Sequence, residues 1–273
     1  MFFWKYEQET SLSAAILHDD LKTIKKLCGR KDHIYAKNYL GFDALEIAYY
    51  LGKQECWEIL KPQSKHQIKV LPPNTNKVQV IDEEEFENFF HVRYLSHLKF
   101  EDYKQFKKVL KNCPSALRQF LKRTHQYKRE ILEGFVADVT IQWIDEVLGY
   151  GLFTNRDLRE GDLVGEYVGE VQRVHRFHRH LSEYCLQYPL KKWFSIYVID
   201  SAFQGNELRF INHSYEPNLV PKVAADRGLL HSLFFANQNI SRGAQLTWNY
   251  GEDFWSSREP PVEIKLNAKT QRR

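Results

Sequence analysis

The chain has no apolar run approaching the roughly 18 residues a membrane-spanning helix requires. Its start, MFFWKYEQET, lacks the basic-then-apolar order of a secretory signal, so the sequence is expected to be soluble and unprocessed. Cysteine is scarce. Cys28, Cys56, Cys113 and Cys185 include no CxxC pair, so a thiolate zinc site would have to be assembled from distant segments, and reduced thiols in an intracellular compartment are expected. Neither sign of charge dominates: 39 Lys and Arg against 35 Asp and Glu give a net +4, too slight to argue for nucleic-acid binding. Between Tyr150 and Trp255 the count is 11 against 12, which tolerates a cationic substrate. Several catalytic signatures are also missing. There is no GxxxxGKS/T phosphate loop, no GxSxG elbow and no HExxH, and Gly149-Tyr150-Gly151 runs into Leu-Phe-Thr instead of a third glycine opening a Rossmann helix. His175, His178 and His180 lie in the basic run RVHRFHRH, which reads as a solvated face and not as a metal site.

With 273 residues, 43% hydrophobic and 27% charged, the chain is long enough for a real core in one large or two modest domains. Residues 10–27, TSLSAAILHDDLKTIKKL, superimpose on 43–60, DALEIAYYLGKQECWEIL, at an offset of 33, pairing Leu12 with Leu45, Ala15 with Ala48 and Leu27 with Leu60. Each unit predicts a helix pair, with Asp19-Asp20 and Gly52 at the reversals and Gly41 free to take a positive φ in the connector AKNYLGFDAL. Period and connector resemble ankyrin repeats, although the usual TPLH tetrad is degenerate here as TSLS and DALE. These ankyrin-like repeats are assigned to 1–62, with a role in choosing or positioning a partner. Two repeats bury too little alone, so a cap is expected. Residues 63–136 supply a polar, proline-bearing connector and then three helical patterns, Pro114 fitting the first turn of the last.

From about Ala137 the pattern changes to short β-branched and aromatic runs such as VTIQWI, LVGEYVGEV, FSIYVID and LLHSLFFA, separated by Gly, Asn, Asp and Pro. Four motifs follow in order: GYGLF at 149–153, GEYVGE at 165–170, YVIDSAFQGNELRFINHSYEPNL at 197–219 and GAQLTWNYG at 243–251. Their order and wording resemble the SET domain of protein-lysine methyltransferases. The expected fold class is therefore α+β: a helical N-terminal part, then a mostly β, pseudo-knotted SET-like domain over 137–255 and a C-terminal tail over 256–273.

The resemblance implies S-adenosyl-L-methionine as cofactor and lysine methylation as reaction. Tyr250 falls on the family's active-site tyrosine, and Asn212 and His213 on its cofactor-contacting Asn-His pair. Gly149, Tyr150 and Gly151 would let backbone approach the cofactor, and Trp255 or Phe254 would fold over it. Tyr197, Trp193 and Trp248 are the candidate channel walls, with Tyr188 as a further candidate. Trp248 stands where the family usually has Phe or Tyr, which leaves the number of methyl groups open. Arg209, Ser214, Pro217 and Asn218 read as structural, a buried Arg209 requiring a carboxylate from Asp200 or Glu207. The tail EDFWSSREPPVEIKLNAKTQRR has no cysteine, so the family's three-cysteine zinc segment is not expected. The implied substrate is an extended lysine-bearing protein segment such as a histone tail; a non-histone target and a non-catalytic adaptor are the alternatives. Location is left open between nucleus or cytoplasm of a eukaryote and a bacterial protein acting in a host cell.

Overall fold

The computed structural model describes residues 9–60, 66–114, 126–175, 181–192 and 195–255. Its first elements are two helical hairpins, α1 (Ser11–Leu17) with α2 (Leu21–Leu27) and α4 (Ala44–Tyr50) with α5 (Gln54–Leu60), linked through the single-turn α3 (Lys31–Ile34). Every boundary of the second hairpin lies 33 residues after that of the first. Local chemistry fixes the helix starts. The Thr10 side chain accepts from the Ser13 amide, Asp20 accepts from Thr23, and Asp43 with Glu46 forms a reciprocal capping box. The chain reverses at the equivalent positions Asp19 (φ 54°) and Gly52 (φ 61°), a short polar residue and a glycine that tolerate the left-handed region.

Residues 63–136 depart from the expected connector and helices. Strands β1 (Ile68–Leu71) and β2 (Gln79–Ile81) pair antiparallel, and β1 pairs parallel with β5 (Val139–Asp145), so one sheet crosses the boundary expected at 137. Ile68 and Val70 are buried around the half-exposed Lys69. That period-two signal is only four residues long, and the polar run around it hides it. Helices α6 (Glu83–Phe90) and α7 (Tyr103–Asn112) form as expected, but the short strands β3 (Arg93–Tyr94) and β4 (Lys99–Phe100) lie between them. Of the third helical pattern the described part is α8 (Lys128–Glu133); residues 115–125 lie outside the described residues.

The remaining strands are β6 (Gly149–Thr154), β7 (Leu163–Glu166), β8 (Glu170–His175), β9 (Cys185–Lys192), β10 (Ser195–Asp200), β11 (Gln204–Gly205), β12 (Asn212–His213), β13 (Leu219–Asp226), β14 (Leu229–Ala236) and β15 (Gln245–Trp248). They form a six-stranded sheet in the order β12-β15-β6-β5-β1-β2, a four-stranded sheet β4-β8-β10-β9, a three-stranded sheet β13-β14-β7 and the pair β11-β3. The last short helix, α9, is Glu252–Trp255.

An aromatic cluster and a buried ion-pair network are among the contacts that join the hairpins to these sheets. Phe42, Tyr50, Phe100 and Phe106 pack with ring centroids 5.1 to 6.2 Å apart, filling the gap between the second hairpin, β4 and α7. Arg227, in the β13–β14 turn, donates to Glu46 and Asp226, whose side chains are 6% and 4% exposed, and its guanidinium lies 4.0 Å from the centre of the Phe42 ring. Burial works against the Glu46 carboxylate, but the hydrogen bonds and charge of Arg227 outweigh it and hold its pKa below the ordinary value. Replacing one member leaves buried charge unpaired. Arg227→Ala is therefore expected to lower unfolding free energy by about 3 kcal/mol, read as a fall in the urea midpoint, with Arg227→Lys losing less.

Candidate active site

The site is built where β6, β12 and β15 meet. Asp145 accepts from the amides of Val147 and Leu148, closing the β5–β6 turn, and Gly149 follows at φ 66° to open β6. Two residues on, a Cβ at Gly151 would stand 2.7 Å from Gln245 Nε2 and from Ile144 Cδ1, and 3.1 Å from Asn212 Nδ2. A Cβ there would force these three side-chain ends to shift. Asn212 Nδ2 donates to the Tyr150 carbonyl at 3.2 Å, while the Tyr150 ring turns away into a cluster with Phe90, Trp143 and Phe210.

β12 lies parallel to β15, with Asn212 opposite Thr247 and His213 opposite Trp248. Asn218 holds the same strand at two points, donating to the Gln245 carbonyl at 2.8 Å and accepting from the Thr247 amide at 2.9 Å, and the Ser214 amide donates to the Trp248 carbonyl. Just past β15, the Tyr250 amide donates to His213 Nδ1 at 3.1 Å, and the Tyr250 hydroxyl donates to the Ile211 carbonyl at 2.8 Å. His213 thus accepts at Nδ1, which assigns its proton to Nε2; burial lowers its pKa and keeps the ring neutral near pH 7. Nε2 is buried with no partner among the described residues, as is Trp255 Nε1.

An aromatic enclosure surrounds Tyr250. Trp248, Phe254, His213 and Trp255 place ring centroids 5.2, 4.7, 5.3 and 6.2 Å from it, the Trp255 ring nearly parallel at 8°. Phe234 lies 5.4 Å behind Trp248. Burial pushes the Tyr250 phenol well above its ordinary pKa, helped by nearby Tyr184 and Glu183.

Of the sequence candidates, Gly149, Tyr150, Gly151, Asn212, His213, Trp248, Tyr250, Phe254 and Trp255 converge here. Tyr197 does not. It is fully buried in β10 with Tyr188, 6.5 Å away, as its ring neighbour, because that strand is enclosed at Tyr197, Val198 and Ile199 alike. Tyr188 accepts from the Leu230 amide, a structural bond inside the same layer. Trp193, His178 and His180 lie outside the described residues. The expected carboxylate partner of Arg209 is also corrected: its guanidinium donates to the Ser201 and Ala202 carbonyls and lies 4.0 Å from the centre of the Tyr184 ring. A planar cation with five donors satisfies itself on carbonyls and a π face. One further tyrosine near the site was not a sequence candidate. Tyr167, buried, donates to the Tyr184 carbonyl at 2.7 Å and lies close enough to Tyr250 to interact with it electrostatically. The signal was the tyrosine of GEYVGE itself.

Residues 149–251 match the family model described as the SET domain. Within these bounds the chain is similar to the SET domain. The chain is 36% identical over 136 residues to the variant-silencing SET domain-containing protein of Plasmodium falciparum (isolate 3D7), covering 47% of this chain and 5% of that protein. The histone-lysine N-methyltransferase EHMT1 of Homo sapiens is 37% identical over 113 residues, covering 40% of this chain and 9% of that protein. Among solved structures, KRYPTONITE in complex with mCHH DNA, an H3(1-15) peptide and SAH is 30% identical, with 41% of this chain and 23% of that chain covered and a TM-score of 0.35. The chain spans less than a tenth of the length of these two curated relatives.

Behind the SET-domain site, Glu207 opens the 3-10 turn Glu207–Phe210 that leads into Asn212. Its buried carboxylate accepts from the Tyr94 hydroxyl at 3.1 Å and lies 2.7 Å from His66 Nε2. Burial lowers the His66 pKa, but the hydrogen bond and charge of Glu207 outweigh it and leave it raised above 6.5. A raised histidine contributes stability that is fully present below its unfolded pKa and lost as pH rises through the folded one. The melting temperature of the wild type should therefore exceed that of His66→Gln by a few degrees at pH 6, the gap closing towards pH 8.5.

Proposed function

We propose that this chain is an S-adenosyl-L-methionine-dependent protein-lysine N-methyltransferase acting on a histone tail. The observation that carries the reading is the half-buried Tyr250 phenol, neutral, its proton committed to the Ile211 carbonyl, inside an aromatic enclosure. The relatives named as histone-lysine methyltransferases support the substrate class and favour action on chromatin in a nucleus.

The residues present fit the cofactor. Two buried ring donors without partners, His213 Nε2 and Trp255 Nε1, suit a ligand rich in nitrogen and oxygen acceptors, and Gly149 and Gly151 remove side chains that would obstruct it. When bound, it supplies an electrophilic methyl group on a sulfonium. Asn212 fixes the glycine strand through the Tyr150 carbonyl, and Trp255 offers an aromatic face. Because the Tyr250 hydroxyl already donates to Ile211, its oxygen acts towards substrate as an acceptor, aligning an amine N–H without removing the proton. Lysine is methylated as the neutral amine. Its ordinary pKa near 10.4 falls when the rings of Tyr167, Trp248 and Tyr250 strip water from it. The repeated helical hairpins are read as ankyrin-like and as the element that positions substrate or a partner.

Incubation with labelled cofactor and core histones tests the reading. Tyr250→Phe should slow transfer about 100-fold, roughly 2.7 kcal/mol of barrier, while calorimetric cofactor affinity changes little. Gly151→Ala should instead weaken cofactor binding, because its Cβ displaces the Gln245, Ile144 and Asn212 side chains. Failure of the wild type both to bind the cofactor and to label any protein would overturn the proposal. Trp248→Phe, which enlarges the enclosure, should raise the number of methyl groups per lysine seen by mass spectrometry.

A further inference from the structure

The chain's positive charge is concentrated outside the SET domain. Residues 103–129, YKQFKKVLKNCPSALRQFLKRTHQYKR, contain nine of the 39 Lys and Arg and none of the 35 Asp and Glu. The other 246 residues hold 30 against 35, a net −5, so this segment alone makes the chain cationic.

Its first described element is α7. Phe106, Val109 and Leu110 are 0%, 1% and 5% exposed and hold one side of the helix against the protein, while Gln105 donates to the Val171 carbonyl of β8. Lys104, Lys107, Lys108 and Lys111 fall at helical spacing on the other side; Lys104, Lys108 and Lys111 are exposed, and Lys107 lies 4.7 Å from the centre of the Tyr103 ring. None of the four makes an ion pair among the described residues. Asp102, at the helix start, is occupied in capping the Gln105 amide.

We infer that the outer face of α7 binds the phosphate backbone of duplex nucleic acid. The stripe extends about 10 Å, close to the axial span of three phosphates on one strand. Protein partners and membranes are disfavoured by what the face lacks. The helix's own apolar side chains Phe106, Val109 and Leu110 are all buried, leaving no anchor for a protein interface core and nothing to insert among acyl chains. Counterion release from a polyanion needs only the charges. Lysines are flexible point charges without bidentate geometry, so binding is independent of sequence.

The test is fluorescence anisotropy of the full chain with a labelled 30-base-pair duplex of random sequence, titrated with salt. The wild type should bind at low salt, with log affinity falling linearly against log salt. The Lys104/107/108/111→Gln variant, checked for an unchanged melting temperature, should bind at least tenfold more weakly with a slope about 3 to 4 smaller, and the corresponding four-arginine variant should restore both. No binding by the wild type, or a glutamine variant with unaltered slope, overturns the inference. So does displacement of the duplex by polyglutamate of equal charge at equal or lower concentration, which would make the partner an acidic protein segment.

Discussion

The site exists because the segment 212–218 grips a strand that arrives about thirty residues later. Asn218 donates to one peptide group of β15 and accepts from another, Ser214 bonds the end of that strand, and His213 takes the amide of Tyr250. A side-chain amide can do this because it carries both a donor and an acceptor. The parallel pairing of β12 with β15 is two residues long and would be weak alone. Side-chain clamps therefore carry what a longer ladder would otherwise provide. Tyr250, Gly151 and Asn212 come together only while this grip holds, so the chemistry depends on residues whose role is to tie one chain segment to another.

A second constraint ties the helical hairpins to the same framework. β14 is buried at all eight positions and runs from the Arg227 turn, which holds Glu46, to Phe234, which backs Trp248. On the way His231 pairs with Glu166 at 2.8 Å, fixing β14 to β7 just before Tyr167. One strand thus has the helical hairpins at its beginning and the aromatic enclosure near its end. Arg227 takes positive φ in a two-residue turn, a conformation that glycine or asparagine would adopt with less strain. The guanidinium contacts to Glu46, Asp226 and Phe42 account for an arginine there.

What the sequence made legible follows from how local each signal is. The hairpin offset, the reversals at Asp19 and Gly52, and the gathering of Gly151, Asn212, His213 and Tyr250 are written in short motifs or in periodicity. Less local features escaped it. β1 has one buried pair of residues in a polar run, and its partner β5 lies some seventy residues on. Tyr197 lies in an aromatic run that could equally line a channel; that it is enclosed in the sheet interior is set by strand packing, which composition does not encode. Arg209 was expected to seek a carboxylate because burial of a charge suggests one. The carbonyls that satisfy it belong to a turn whose shape no motif announced.

The buried acids bear on the chemistry as well. Glu166 is held by His231, Glu207 by His66 and Tyr94, and Glu46 and Asp226 by Arg227, each within a structural network. The exposed Glu183 contributes to raising the Tyr250 pKa, after burial. A dedicated buried base would bring charge into the enclosure and would itself have to be desolvated, at a cost of several kcal/mol. On the proposed function, an enclosure around a phenol that already donates elsewhere avoids that cost: the loss of hydration disfavours an ammonium there, while Tyr250 and Tyr167 retain oxygens able to orient the neutral amine. Proton loss to water on entry, followed by alignment in a dry space, is the division of labour that this reading assigns to these residues.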